Sequence, residues 1–338
     1  MNPFEWIAPG TLAEASRAAT ATMADAMCDS ADGASILKAG GVDVLDLMKE
    51  DLVAPRRVVD LHRIPGMDRI AEERDGGLRL GALVTLADLA EHPLLDKYAS
   101  LRQAAGSAGS PQLRNRATIG GTLLQRPHCW YFRSPHFPCR RKGGQHCFAL
   151  TGENQYHAIF ANDICAMVHP SGLATALVAL DASVDLVNRA GETRRVRLED
   201  FFIASERDVT RENDLKAGEI LTAILLPSLA PSARCDYVKL GEKAAFDWPL
   251  AEIAVTLELD PNGLCQAARL VLGAVAPIPY RVAAAEQQLI GQRITAKVAL
   301  QAAQAAMASA TPLAGNAYKV PIFAALLQRT IMRTAGTP

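Results

Sequence analysis

The alternation of hydrophobic and polar positions changes period several times along the chain, and each change predicts an element boundary. Over 11–25, alanine and other apolar residues recur at helical spacing, with Thr11 as N-cap and Glu14 three residues on, the pairing of a capping box. A short apolar run at 34–38 reads as a strand ending in Gly40-Gly41. Helical spacing of Val44, Leu45 and Met48 follows within 42–50, and a second strand is predicted at 57–61. The first unit is thus strand, glycine turn, helix, strand. Residues 69–83 predict a hairpin around Asp75-Gly76-Gly77, then helices at 85–91 and 93–108 and a loop through Gly120-Gly121. Farther along, 173–181 reads as a helix, 183–198 as a hairpin turning at Ala190-Gly191, 219–226 as a strand and 227–231 as a linker. Strands at 237–240, 250–259 and 264–275, with Asn262-Gly263 as a tight turn, precede helices at 281–290, 296–308 and 320–334.

Composition narrows what such a chain can do. Of its 338 residues 49% are hydrophobic, enough to bury a sizeable core, so a disordered chain is excluded. Lys and Arg total 35 against 36 Asp and Glu, a net charge of -1 that provides no basic footprint for a nucleic-acid duplex or an anionic membrane. The most apolar stretch, 264–276, is interrupted by Gln266 and Arg269 and is too short for a bilayer span. Residues 1–10 carry Glu5 and Pro9 and lack a basic n-region, so a soluble chain with no export signal of its own is expected. There is no Gly-x-Ser-x-Gly elbow, His-Glu-x-x-His pair or P-loop, and no substrate-processing constellation stands out.

Cysteines provide the first chemical signal. Four of the seven, Cys129, Cys139, Cys147 and Cys165, fall between 129 and 165, and five of the seven histidines lie in or beside the same window. Cys28, Cys235 and Cys265 read as packing residues. Four thiolates in a loop rich in Gly, Pro and Arg suit an iron–sulfur cluster or a structural zinc, and the run Arg140-Arg141-Lys142 would offset their charge. The spacings of 10, 8 and 18 match neither a zinc ribbon nor a ferredoxin run, so iron–sulfur, zinc and no metal all stay open on these residues alone.

Two glycine pairs supply the second signal. Leu37, Lys38, Ala39, Gly40, Gly41, Val42, Asp43 and Val44 run from a predicted strand into a helix N-terminus, where unsatisfied N–H groups favour an anion. Thr118, Ile119, Gly120, Gly121 and Thr122 form a second such turn, with two hydroxyls. Each alone reads equally as an ordinary tight turn, since neither has the spacing of a Rossmann or P-loop motif.

Together, the two turns resemble those of the FAD-binding subunit of the xanthine dehydrogenase and aldehyde oxidase family of molybdenum hydroxylases. Val168-His169-Pro170-Ser171-Gly172-Leu173-Ala174, Leu272-Gly273-Ala274-Val275-Ala276-Pro277 and Ala317-Tyr318-Lys319-Val320-Pro321 extend the resemblance over nearly the whole chain. It implies an α+β fold: a two-part FAD-binding domain of the molybdopterin dehydrogenase (PCMH/vanillyl-alcohol-oxidase-like) type, then a C-terminal antiparallel sheet with helices. The parts expected are 1–65, 66–230 with a Cys-rich insert at about 126–166, and 231–338. Carried onto this chain, FAD contacts fall on 37–44, Ala108, 118–122, Lys239 and Leu250, and Gly172 stands where the family usually has an acidic residue. The text around the insert resembles the periplasmic aldehyde oxidoreductase branch, which implies an additional [4Fe-4S] cluster on Cys129, Cys139, Cys147 and Cys165.

The function so implied is that of an FAD and [4Fe-4S] electron-transfer subunit of a heterotrimeric molybdenum-dependent aldehyde oxidoreductase. Its partners would be a molybdenum-cofactor large subunit, a [2Fe-2S] small subunit and an external electron acceptor. The complex would be cytoplasmic, or periplasmic by co-export with a partner. Two alternatives are a 4-hydroxybenzoyl-CoA reductase-like flavin subunit and a flavin-free, zinc-stapled assembly subunit.

Overall fold

The computed structural model of the protein describes residues 1–28, 33–243 and 246–337. The chain opens with β1 (Glu5–Ile7), α1 (Leu12–Ala18), α2 (Met23–Cys28), β2 (Ser35–Lys38), α3 (Val42–Lys49) and β3 (Arg57–Asp60). The three strands form a parallel sheet in the order β1-β3-β2, and the helices supply the crossovers that parallel pairing requires. The sequence predicts one helix over 11–25, whereas the structure has two. Ala19 is extended, and the Thr20 and Ala21 N–H groups both donate to the Ser35 carbonyl, so sheet pairing interrupts the helix. Thr11 does cap α1, accepting from the Glu14 N–H at 3.2 Å, but the Glu14 carboxylate turns to the Gly10 N–H instead of closing the box. Strand β1 carries no clear pattern in its three residues. It is held by pairing with β3 and by the Arg57–Glu5 ion pair at 2.6 Å.

A second sheet follows. Its elements are β4 (Ile70–Glu72), β5 (Leu78–Gly81), α4 (Leu86–Glu91), α5 (Ala99–Gly106), α6 (Pro111–Arg114), α7 (Ile119–Leu123), α8 (Gly172–Ala179), β6 (Ser183–Val187), β7 (Thr193–Arg197), α9 (Leu198–Phe201) and β8 (Ile220–Leu226). The strands pair antiparallel in the order β4-β5-β8-β6-β7. Central β8 is buried at every residue, which accounts for a run that is apolar except at Thr222. Helix α8 is apolar all round and buried from Leu173 to its end, since it packs between α5 and the C-terminal sheet.

That C-terminal sheet comprises β9 (Ala233–Leu240), β10 (Ala251–Leu259), β11 (Cys265–Gly273) and β12 (Tyr280–Arg281), antiparallel in the order β12-β11-β10-β9. Helices α10 (Ala283–Leu289), α11 (Ala296–Met307) and α12 (Lys319–Ala335) cover one of its faces and enclose a separate apolar core around Ile253, Leu272 and Phe323. The whole is the α+β arrangement expected from the sequence, a two-part N-terminal region followed by an antiparallel sheet with helices. Among the described residues, no helix is long and apolar enough to cross a membrane.

The segment at about 126–166 has little regular structure, yet it is part of the core. Phe132 and Cys139 pack with Ile36, Leu47 and Val58 of the first unit, while Ile159 and Phe160 join the C-terminal core. Glu212 anchors it. One carboxylate oxygen receives Arg126 Nη1 and the other Arg141 Nη1, both at 2.7 Å, and all three side chains are at most 2% exposed. Arg133 adds a tie to Asp43 and Asp46 at the start of α3.

Removing the negative member of a buried ion pair leaves charge without its partner in a low-dielectric site. Glu212→Gln should therefore lower unfolding stability by about 3–5 kcal/mol in urea titration. An unchanged midpoint would show that the insert does not depend on this carboxylate.

Candidate functional site

A cleft of about 840 Å³ lies where the first unit, the α5–α7 region, the start of β8 and the β9–β10 wall converge. Its apolar walls include Ile36, Leu37, Leu83, Leu173 and Leu221. Both glycine motifs border it, but they do so differently. Gly41 has φ +84°, a left-handed conformation that favours glycine, and it stands at the N-cap of α3 with no side chain capping the helix. That leaves the positive end of α3 open to the cleft. Gly40 serves close approach: a Cβ there would stand 1.9 Å from the Arg116 carbonyl oxygen.

The second motif is no open turn. Thr118 is the N-cap of α7, and Gly120-Gly121 lie inside the helix. Its N–H groups already have acceptors: Ile119 donates to Val84 O, Gly120 to Ala82 O, Gly121 to Thr118 Oγ1 and Thr122 to Thr118 O. Gly120 instead lets α7 press on Ala82, whose carbonyl oxygen would be 2.9 Å from an added Cβ. The segment thus contributes shape and the Thr122 side chain, and α3 contributes the anion-attracting end.

Of the residues singled out in the sequence, Leu37–Val44 (37–44), Ala108, Thr118, Gly120, Gly121, Thr122 and Lys239 border the cleft. Ile119 does not; it is fully buried in the main core. Leu250 is not among the lining residues either, and Trp248 and Pro249 stand there in its place. Several charged groups are already committed to one another. Lys38 Nζ pairs with Asp60 at 3.0 Å. Burial opposes ionisation of Asp60, but hydrogen bonds from His62 and Lys38 hold its carboxyl below the usual range. The Asp43 carboxylate accepts from the Arg126 N–H and from Arg133, so it faces the insert. Lys239 Nζ donates to the carbonyls of Ser107 at 3.2 Å and Asp247 at 2.6 Å.

Sequence reasoning did not single out His128 as a cleft residue, nor Trp248, Tyr237 or Glu252. His128 and Trp248 stack with ring centroids 4.0 Å apart, joining the insert to the β9–β10 loop at the cleft. Burial pushes His128 down to about 3, so this stack is uncharged near neutrality. Tyr237 and Glu252 meet across β9 and β10, with the Tyr237 hydroxyl donating to Glu252 Oε1 at 2.7 Å. Beside Gly172 the missing side chain leaves room that Tyr237 and Glu252 fill: an added Cβ would stand 2.4 Å and 2.5 Å from their oxygens. The signal for these residues lies in strand register, which no single stretch of sequence carries.

The expectation of a [4Fe-4S] cluster on Cys129, Cys139, Cys147 and Cys165 is corrected, and the zinc alternative with it. Among the described residues, no group of three or more His, Cys, Asp or Glu side chains is arranged to hold a metal ion. All four cysteines border one void, but it measures about 20 Å³, room for roughly one water rather than four irons and four sulfides. Aromatic side chains fill the surroundings, with Tyr131, Phe137 and Phe148 in mutual contact. Cys129 Sγ lies 3.3 Å from His157 Nε2, and burial pushes its thiol up to about 12. Burial likewise raises Cys139, while Cys165 is held low by a hydrogen bond from Cys147 and by Arg141. Clustering in sequence here reflects a packed, thiol-rich insert.

Comparison with known proteins agrees with the geometry of the cleft. Residues 2–229 match the family described as the FAD binding domain in molybdopterin dehydrogenase, and residues 236–334 match the CO dehydrogenase flavoprotein C-terminal domain. The aldehyde oxidoreductase FAD-binding subunit PaoB of Escherichia coli (strain K12) is 37% identical over 289 residues, covering 83% of this chain and 86% of that protein. The nicotinate dehydrogenase FAD-subunit of Eubacterium barkeri is 25% identical, covering 87% and 82%. A solved structure of carbon monoxide dehydrogenase from Hydrogenophaga pseudoflava, lacking the Mo-pyranopterin moiety of the molybdenum cofactor, aligns at TM-score 0.71 and 25% identity. It covers 100% of this chain and 98% of that one.

The Gly40 contact yields a direct test. Gly40→Ala forces backbone against backbone, so the first turn and the Arg116 loop must separate, at about 1–3 kcal/mol of stability. Chemical denaturation should read that loss, and a variant as stable as the parent would show that the two loops are free to part.

Proposed function

We propose a role that proceeds from one premise: this chain belongs to the family of FAD-binding domains in molybdopterin dehydrogenases, an oxidoreductase family. The cleft holds one FAD, and the chain acts as the electron-transferring flavin subunit of a heteromeric molybdenum-dependent oxidoreductase. The observation that carries this is the cleft itself. Its volume of about 840 Å³ lies in the range of small-molecule and cofactor sites, roughly 300–1,000 Å³. The uncapped N-terminus of α3 suits a diphosphate, Gly40 and Gly120 let the backbones around the cleft pack closely, and Arg116 borders the cleft as an exposed cation.

Leu37–Val44 (37–44) and Thr118, Gly120, Gly121 and Thr122 would embrace the diphosphate, with Ala108 and Lys239 toward the ring. FAD supplies redox chemistry that accepts electrons singly and releases them in pairs. The protein's part is to bind it, orient it and shield one side with the His128–Trp248 stack. In this reading, which the family match supports, substrate is oxidised on a partner subunit carrying molybdenum, with a [2Fe-2S] subunit between them. Likeness to a protein named as an aldehyde oxidoreductase subunit supports an aldehyde as the substrate class. Three sheets support a division into 1–65, 66–230 and 231–338.

Titration of the flavin-free chain with FAD, followed by absorbance, should reach one equivalent. Gly41→Val puts a β-branched residue at φ +84° and should weaken binding by more than about tenfold, or about 1.4 kcal/mol, with the far-ultraviolet spectrum unchanged. A folded parent that takes up no FAD, or a variant of full affinity, would count against this assignment.

A further inference from the structure

The cleft wall contains a carboxyl whose hydrogen bonding is incomplete. Glu252 of β10 is 3% exposed and borders the cleft. Its Oε1 accepts the Tyr237 hydroxyl, whereas Oε2 has no hydrogen-bond partner among the described residues. A buried carboxyl with a free oxygen destabilises the fold that contains it, and an apolar residue would fill this place at lower cost.

Two glycines make room for the group. A Cβ at Gly172 would stand 2.5 Å from Oε1, and one at Gly273 would stand 2.5 Å from Oε2. The start of α8 and the end of β11 are thus both reduced to a hydrogen around one carboxyl. Tyr237 is itself 4% exposed, and its hydroxyl fixes the orientation of that carboxyl.

We propose that Glu252, oriented by Tyr237 and lodged between Gly172 and Gly273, is the positioning carboxyl that sets the potential of the bound flavin. The inference rests on the FAD reading above. With the diphosphate at the α3 N-terminus, the wall formed by β9 and β10 is left for the ring. A carboxyl there changes charge beside the group that receives electrons.

The electrostatics agree. Burial raises the Glu252 carboxyl to about 7, against the Tyr237 hydrogen bond and the charges of Lys239 and Lys319. Those three are the titratable groups that face it from β9 and α12. Helix α8 presents Gly172 and Thr175, and β11 presents Gly273, none of which titrates near neutrality. Tyr237 is pushed well above its usual value by burial and remains a donor. Lys319, pulled down by burial to about 7, keeps its Nζ on the carbonyls of His157 and Ala274.

The sign follows. Below its midpoint Glu252 is neutral; above it a negative charge lies beside the ring and opposes the uptake of electrons. The reduction potential must then fall more steeply with rising pH through about pH 7 than it would without this group.

The test is spectroelectrochemical titration of the FAD-loaded protein between about pH 5.5 and 8.5, comparing parent, Glu252→Gln and Tyr237→Phe. Glu252→Gln should match the parent at the acid end and lie above it at the alkaline end, because the negative charge never forms. Tyr237→Phe removes a hydrogen bond that favours ionisation, so its steep region should move to higher pH. A merely structural role would change FAD affinity or melting temperature and leave the shape of the profile alone. Parallel profiles in three proteins that all bind FAD overturn the proposal. A parent that binds no FAD overturns the underlying reading instead, and absorbance after desalting separates that outcome from the first.

Discussion

The cleft depends on one backbone contact that tolerates no side chain, the approach of Gly40 to the Arg116 carbonyl. Residue 40 ends the strand-and-turn of the parallel sheet, and residue 116 belongs to the connection between α6 and α7 above the antiparallel sheet. Where these two meet, the open end of α3 is brought over the floor formed by α7. Residues 40–44 at the start of α3 and residues 118, 120, 121 and 122 of the α7 segment border the same cavity. Gly120 repeats the device one layer down, against Ala82, and so sets the depth of α7 beneath the cleft. Close packing of backbone on backbone is rigid because no rotamer can absorb a displacement.

The insert completes the enclosure from the other side. It takes the buried Arg126 and Arg141 to Glu212, Arg133 to the first turn of α3, and His128 to Trp248 on the β9–β10 loop. Three regions distant in sequence are therefore fastened to one irregular segment. Turn hydrogen bonds, such as the Arg140 N–H to the His146 carbonyl and the Ala158 N–H to the Ala166 carbonyl, order the segment locally, and ion pairs and aromatic packing fix it to its surroundings. The cysteines belong to that packing: Cys139 lies in the same core as Phe132, and Cys129 contacts His157.

Much of this architecture was legible in the sequence, and the exceptions share a cause. The apolar run of β8, the hairpin of β6 and β7 and the long helices near the end each have a local pattern that survives folding. Helix α1 stops early because Ser35, far along the chain, provides a carbonyl for Thr20 and Ala21. Gly120-Gly121 read as a turn because glycine pairs usually are turns, but Thr118 caps them into a helix. The candidate site divides in the same way. Both glycine motifs were readable as contiguous stretches, whereas Tyr237 and Glu252 are neighbours only through the register of β9 on β10. The cysteine cluster misled for the converse reason, since nearness in sequence was taken for convergence on one ion, and their void is too small to hold a cluster.

The distribution of charge around the cleft explains how such a site can prefer an anionic, largely apolar ligand in a protein of net charge -1. Lys38 is answered by Asp60 and Asp43 by Arg133, while two carbonyls fix the position of the Lys239 ammonium, so these side chains hold the walls in place. Beside these stand the α3 dipole and the exposed Arg116 on one side and the buried Glu252 carboxyl on the other. The dipole favours negative charge at all pH values, because it arises from peptide groups that do not titrate. Glu252 gains its negative charge only as pH rises through neutrality, because burial raises this carboxyl to about 7 and leaves one of its oxygens without a hydrogen-bond partner. Binding and redox tuning therefore fall on different parts of the cleft, the one on fixed backbone dipoles and the other on a single ionisable side chain. A change at Glu252 can then alter the second with little effect on the first.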